Sequence, residues 1–479
     1  MIGVRSGRAQ GLLLQHRFPF RLGNASLTTA LHAVADLEVD VDGTMVHGFG
    51  AESLPPTWFM HSGPETIDAD QLVLIEEVYA ALDLVTSLEP GATVFDIWER
   101  LYETRMSAGQ AAGLPGLVPQ VAVAIIEHAL IDAFLKASGT TFAQALHSGI
   151  LGLDLGRIHP ELEGETVAGL LPASPAESVM LRHTVGLSDQ LEPSDDAGIE
   201  IDGLPRTLAD SIATYGLRRF KVKVSGNAPV DLDRLDEVLS CLQHHCGDDF
   251  AFSIDANEGF DSIAAFQDFW SGAVDRLGKA LTDHLLFVEQ PLNRNVALEP
   301  ETGRTLLAWQ DGPTLIIDES EMSHTSLPRA LELGYRGTSV KSCKGVFRAV
   351  ANACLLEWHR RSDPSRDYVL SSEDLSTVGP VSLVQDLAVV AALGLTDTER
   401  NGHHYFCGLS MYSESLQREM VAHYPGLYEW REPGWATLIA RDGRISLTEV
   451  NSAPFGLAIT PDLSDLDELR SYQVIGESE

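Results

Sequence analysis

Six lysines occur in the 479 residues, and four of them fall in two short strand-like stretches. Lys221 and Lys223 stand in RRFKVKV, and Lys341 and Lys344 in GTSVKSCKG. Arginine supplies 27 of the 33 basic residues, so lysine is not the default surface cation of this chain. Between the two pairs lie Asp255 in FSIDANEG, Glu289 in LLFVEQPLN and Asp318 in TLIIDES, each closing an apolar run. Three carboxylates brought to one place raise each other's pKa unless a cation neutralises them. Oxygen-only ligands suit a hard divalent ion, with Mg2+ the default and Mn2+ the alternative. Strand alternation puts Lys221 and Lys223 on one face, and two ammoniums beside a metal depress each other's pKa, which would make one a base near neutral pH. With Lys341 approaching from the far side, such a site could take the α-proton of a carboxylate substrate while the metal stabilises the enediolate.

These groups need a scaffold that delivers each to one rim. From about Val179 the chain alternates regularly between short apolar stretches and amphipathic ones. SVMLRHTVGL, RRFKVKV, FAFSIDAN, LLFVEQP, TLIIDES, GTSVKSC, YVLSSEDL and HYFCGLS read as eight strands, separated by helical stretches such as DLDRLDEVLSCLQHHC and SLVQDLAVVAALG. Eight strand–helix units predict a (β/α)8 barrel, whose catalytic groups sit where the strands end. Lys223 to Asp255 is 32 residues, Asp255 to Glu289 is 34, Glu289 to Asp318 is 29 and Asp318 to Lys341 is 23. Each interval fits one strand–helix unit, so the five groups converge on one mouth.

Before the barrel, residues 18–60 read as an antiparallel meander with a hairpin turn at Asp42-Gly43, and residues 68–147 as helices. The expected division is an α+β capping domain over 1–155, a barrel over 156–420 with an insertion near 155–200, and a segment 421–479 that returns to the cap and carries a hairpin turning at Asp442-Gly443. Cap loops near Arg17–Ala25 and Gly48–Pro56 are expected to close the mouth, with Phe18, Phe20 and Trp58 giving an apolar or aromatic wall. A net charge of −36 argues against nucleic acid and anionic membranes, which it would repel. No uninterrupted apolar run approaches the ~20 residues that span a bilayer, and MIGVRSGRAQGLLLQHRF shows no signal-peptide pattern. Five scattered cysteines point to a reducing cytoplasm rather than a disulfide framework. The expected partner is a small-molecule carboxylate, and the expected assembly a homo-oligomer.

The run of KVK, DAN, EQP, DES and SVK, in that order, resembles the enolase superfamily. The resemblance extends to the cap through DLEVDVDGTMVHGFGAES and AIIEHALIDAFLKASG. It implies that Asp255, Glu289 and Asp318 are metal ligands, Lys223 the base, Lys341 the opposing acid/base and Lys221 an aid to charge stabilisation. A lysine on strand six, and no histidine in YVLSSEDL, resemble the muconate-lactonising subgroup of cycloisomerases, racemases and epimerases. HYFCGLS lacks the Asp-x-Asp of dipeptide epimerases, and Lys344-Gly345-Val346 stands where many members carry Gly-Gly, so the substrate stays open.

Plainer roles fall to the neighbours. Asn257 either hydrogen-bonds the metal's surroundings or shapes the turn, and Glu319 is expected to partner a lysine rather than ligate. Glu373 and Asp374 could touch substrate, Lys344 is read as a loop or structural lysine, and His403 and His404, near enough to reach the pocket, as a surface or packed pair. Cys241, His244, His245 and Cys246 end a helix without a second ligand pair, which argues against structural zinc. Two rivals stand beside the metal-dependent enzyme: a Schiff-base lysine barrel, and a non-catalytic binding protein that keeps the fold.

Overall fold

The computed structural model describes residues 1–22, 25–63, 65–193, 203–432 and 434–472, with the side chains of 20–27 outside the description. The chain opens on a meander of β1 (Ile2–Leu22), β2 (Ala25–Val41) and β3 (Thr44–Ser53). β1 starts sixteen residues before the predicted meander. The alternation of β1 is broken by glycines that serve packing rather than turning: a Cβ on Gly7 would lie 2.5 Å from Leu82 and 2.6 Å from Leu37. The β2–β3 turn uses Asp42 and Gly43, both at positive φ (49° and 87°), as a tight hairpin with right-handed twist requires.

The helix Leu117–Ser138 lies across β3 and is buried almost all round. It matches a membrane span in length and mean hydropathy (1.6), but 94% of that stretch is buried inside the protein, so it is the cap's core helix. Gly48 and Gly50 let it approach the sheet, since a Cβ on either would stand 2.0 Å from a helix carbonyl, of Ala129 and Ile125 respectively.

Among the described residues eight parallel strands follow: β4 (Ser178–Val185), β5 (Arg219–Lys223), β6 (Ala251–Asp255), β7 (Leu285–Glu289), β8 (Leu315–Ile316), β9 (Gly337–Val340), β10 (Val369–Ser372) and β11 (Asp397–Glu399). Backbone pairing runs β11-β4-β5-β6-β7-β8, a bridge from Ile317 to Thr338 joins β9, and β9 pairs β10. β10 and β11 meet through Ser372 Oγ and Thr398 Oγ1 at 2.7 Å. The last strand differs from expectation. It is Asp397–Glu399, and HYFCGLS instead contributes to the short helix Gly402–Tyr405.

The 155–200 region holds short helical turns (Leu155–Ile158, Pro160–Leu162, Val167–Leu170) before β4, and residues 194–202 of the expected insertion lie outside the described residues. Asp442-Gly443 does form a turn, but its flanks have other partners. Trp435–Leu438 pairs with Tyr428–Arg431, and Arg444–Ser446 runs antiparallel to β4. Further on, Asp467–Glu468 pairs with β1 at Gly11 and Gln10, so the C-terminal segment touches the cap sheet.

Candidate active site

Parallel register sets the site's level. Lys223 is the register partner of Asp255, and Asp255 of Glu289, while Asp318 lies two residues beyond Ile316, the partner of Glu289. The chain thus carries three carboxylates and a lysine to the ends of four consecutive strands. All are buried.

Lys221 is the hub. Its Nζ lies 2.9 Å from Asp255, 2.8 Å from Glu289, 2.6 Å from Glu373 and 3.1 Å from Glu399. Burial works against this ammonium, but the four carboxylates outweigh burial and hold its pKa well above the ordinary lysine value. The expectation that Lys221 and Lys223 depress one another is corrected for Lys221, because carboxylates dominate its surroundings. Lys223 Nζ donates to Asp255 Oδ2 at 2.6 Å and to Asn257 Oδ1 at 2.7 Å. Across the mouth, Lys341 Nζ donates to Asp318 Oδ2 at 2.6 Å, and here too the carboxylate overcomes burial and raises the pKa. Lys344 holds the other oxygen of Asp318 at 2.8 Å and Glu321 at 3.2 Å beneath the site.

The carboxylates divide by what surrounds them. Against burial, Lys341 and Lys344 draw Asp318 well below the carboxylate range, and Lys221 and Lys223 lower Asp255. Glu289 goes the other way. Burial and then repulsion from Asp255 and Glu373 push it well up, and its oxygens make no aligned hydrogen bond among the described residues, although the Lys221 ammonium stands 2.8 Å from Oε2. A buried carboxylate whose Oε1 accepts no hydrogen bond among the described residues, beside two further carboxylates, fits a hard divalent cation held by Asp255, Glu289 and Asp318. Lys221 contacts Asp255 and Glu289 at the same time, so ammonium and metal draw on the same charges.

The other expected residues take definite places. Asn257, at φ 40°, both shapes the turn and bridges the site: its Oδ1 accepts from Lys223 and its Nδ2 donates to Glu319 at 2.9 Å. Glu319 therefore partners an amide, not a lysine, and burial with repulsion from Asp318 pushes it up to about 7. Glu373 does not face the pocket. It is tied to Arg182 at 2.5 Å and to Lys221 inside the ring of strands, while Asp374 reaches the pocket wall. His403 is packed on His183 (Nε2 to Nδ1, 2.9 Å), and His404 lies 3.5 Å from Asp189.

Two site residues escaped sequence reading. Glu399 ends β11, accepts from Asn401 Nδ2 at 3.0 Å and lines the pocket. Arg182 sits fully buried in β4, sharing Glu373 with Lys221. The signals were a charge inside the apolar strand SVMLRHTV, and Asp397 and Glu399 at i, i+2.

Lys223, Asn257, Lys341, Asp374 and Glu399 open on one cavity of about 50 Å3, walled by His16, Trp58, Leu375, Tyr405 and Phe406. The cap supplies part of that wall and is anchored to do so. Arg294 donates to Phe59 O at 3.2 Å and Trp58 O at 2.9 Å while gripping Glu258 at 2.7 Å, which sets the Trp58 ring 4.6 Å from Lys341 Nζ. Arg17 donates to His404 O at 2.6 Å, and Ser53 to Ser376 O at 2.8 Å, so the cap sits on the catalytic rim. Phe18 packs on His404 and Tyr405, and the side chain of Phe20 lies outside the described residues. A larger cavity, about 620 Å3, lies at the opposite end of the strands, lined by Phe287, Leu370 and Asp397 among others. Neither Lys223 nor Lys341 lines it.

No family model and no curated protein matches the chain. Solved structures do. A muconate lactonizing enzyme from Pseudomonas fluorescens, complexed with muconolactone, is 14% identical over 96% of this chain and 97% of its own, with a TM-score of 0.61. A 2-chloromuconate cycloisomerase from Rhodococcus opacus is 14% identical over 98% and 99%, also at 0.61. An enolase from Bradyrhizobium, complexed with magnesium and mandelic acid, is 14% identical over 99% of both chains, at 0.59. The chain has the fold of the enolase superfamily over nearly its whole length, with the N-terminal sheet and helices followed by parallel strands that alternate with helices.

Proposed function

We propose that the chain is a Mg2+-dependent enzyme of enolase-superfamily type. On a closed (β/α)8 barrel, it removes the α-proton of a small carboxylate substrate to give an enediolate. Racemisation or epimerisation, cycloisomerisation or β-elimination follows. The observation that carries this reading is the pairing of two pocket ammoniums with one acid triad: Lys223 on Asp255 and Lys341 on Asp318, each at 2.6 Å.

When held by Asp255, Glu289 and Asp318, Mg2+ supplies positive charge to the substrate carboxylate. Asp255 and Asp318, which would hold that ion, are also the acceptors of the Lys223 and Lys341 ammoniums. Lys223 then takes the α-proton, and Lys341 returns a proton on the other face or offsets the growing charge. Lys221, bound to four carboxylates, stays protonated and stabilises the enediolate. Trp58 covers Lys341 and keeps water from that side. The Schiff-base rival is disfavoured, because a nucleophilic lysine has no need of the three buried carboxylates Asp255, Glu289 and Asp318.

Calorimetric titration with Mg2+ tests the reading, together with turnover of a panel of N-acylamino acids, dipeptides, muconates and acid sugars. Asp255→Ala, Glu289→Ala and Asp318→Ala should each weaken Mg2+ binding and abolish turnover. Unchanged titration curves in all three variants would sink the assignment.

A further inference from the structure

The helix Ala228–Cys246 ends on Cys241, His244, His245 and Cys246, none of which the proposed reaction uses. In the fold the two cysteines face different acceptors, Cys241 toward Leu191 O and Cys246 toward Leu217 O. Cys246 turns toward Leu217 and Arg218, with its Sγ 3.7 Å from Leu217 O. Cys241 and His245, one turn apart at i and i+4, share a face. A third group meets them there from outside the helix: Glu192, in the segment that follows β4. His245 Nε2 and Glu192 Oε1 are 2.9 Å apart, and the Cys241 Sγ completes a trio whose ligand atoms all lie within 4.8 Å of one another. The sequence hid this trio because its third member lies 49 residues before Cys241.

We propose that Glu192, Cys241 and His245 form a second metal site, for Zn2+ or a chemically similar borderline ion, distinct from the carboxylate centre in the barrel. One thiolate, one imidazole and one carboxylate are zinc's ligand types, and a fourth position is left for water. The two anionic ligands neutralise a divalent ion, and the absence of an oxygen-only set disfavours Mg2+. Binding replaces the S–H bond of Cys241 with a metal–sulfur bond and releases that proton to solvent, so affinity falls in acid. The geometry is graded as a surface site should be: Cys241 is buried, His245 half-buried and Glu192 exposed. The ligands sit on a framework that is already tied down. Arg234 donates to Asp189 O at 2.6 Å and to Gly186 O at 3.1 Å, and the amides of Leu208 and Ala209 donate to Gln190 O and Leu191 O. A bound ion would staple this segment to the helix. The same segment carries Asp189, which accepts from the hydroxyl of Tyr405 in the pocket wall at 2.8 Å.

The test uses the full chain with Mg2+ in excess, so that the barrel carboxylates are occupied. Co2+ serves as the probe, because a cobalt–thiolate bond absorbs in the near ultraviolet and a carboxylate-only site does not. The expected result is one equivalent of Co2+ giving that band, with one equivalent of Zn2+ removing it. Cys241→Ser should abolish the band, and Cys246→Ser should leave it intact. His245→Ala and Glu192→Ala should weaken binding by more than the roughly 10–100-fold that loss of a supporting contact costs. Glu192 is exposed, so its variant keeps the test valid if the cysteine variant folds poorly. A folded wild-type chain that gives no saturable band, or a band that survives Cys241→Ser, overturns the proposal without touching the reading of the barrel site.

Discussion

Replacing Lys221 by methionine separates the lysine from the metal most sharply. In the chain as it stands, one ammonium serves four buried carboxylates at 2.6–3.1 Å. Removing one partner of a buried ion pair costs about 3–5 kcal/mol, because the remaining charge is left uncompensated. Lys221→Met should therefore lower stability by roughly that amount when divalent metal is absent. Adding Mg2+ should recover much of it. A ligand at 100–1,000 times its Kd stabilises the folded state by about 2.7–4.1 kcal/mol. The recovery should also be larger than in the parent chain, since the ammonium no longer draws on Asp255 and Glu289, and each tenfold gain in affinity adds about 1.4 kcal/mol. Denaturant or thermal unfolding of both chains, with chelator and across a Mg2+ series, reads this directly. Turnover should fall by about 10²–10³ even at saturating Mg2+, through lost stabilisation of the enediolate. A variant as stable as the parent in chelator, or equal Mg2+ stabilisation of both, would refute the view that ammonium and metal share these carboxylates.

Three further outcomes are expected. Burial pushes Glu127 up to about 8 against an ordinary value of 4.5, while the amide of Phe347 donates to it at 2.7 Å. The folded chain holds that proton more tightly than the unfolded one, so this contribution to stability is complete below pH 4.5 and is lost as pH rises through about 8. Glu127→Gln should remove a slope of at most about 1.4 kcal/mol per pH unit from that window, visible in unfolding curves taken from pH 4 to 9. Gly50→Ala drives a Cβ to 2.0 Å from Ile125 O and should cost about 3 kcal/mol in unfolding free energy; an unchanged midpoint would contradict the packing of the cap helix on β3. Trp58→Leu removes the ring 4.6 Å from Lys341, worth up to about 2 kcal/mol where water is excluded. It should depress turnover by about tenfold and leave Mg2+ titration unchanged.

Much of this was legible because alternating strands and helices write the chemistry in a repeating form. An acid or a lysine closing a short apolar strand, at intervals of one strand–helix unit, announced Lys223, Asp255, Glu289, Asp318 and Lys341. β11 was hidden because it has only three residues, two of them acids, whereas the aromatic HYFCGLS nearby has the better strand composition. The early start of β1 was obscured by Gly3, Gly7 and Gly11, which break its alternation to admit side chains packed against it. The hairpin at Asp442-Gly443 had correct turn chemistry, but β4 offered Arg444–Ser446 a tertiary partner that no local pattern reports. The electrostatics of Lys221 were misjudged for the same reason. Glu373 and Glu399, from the ends of β10 and β11, surround it only once the strands come together.

The central claim is that Lys223 and Lys341 flank the α-carbon of a carboxylate substrate. Proton NMR in D2O, with the panel of N-acylamino acids, dipeptides, muconates and acid sugars and Mg2+ present, tests it most directly. An active substrate should exchange its α-proton for deuterium. For a racemising reaction, Lys223→Ala should silence exchange from one enantiomer and Lys341→Ala from the other, with Mg2+ still bound in both variants. For an elimination or cycloisomerisation, one lysine alone should be indispensable as base and the other should only lower the rate. Exchange that survives the loss of both lysines would contradict the mechanism, whatever the fold.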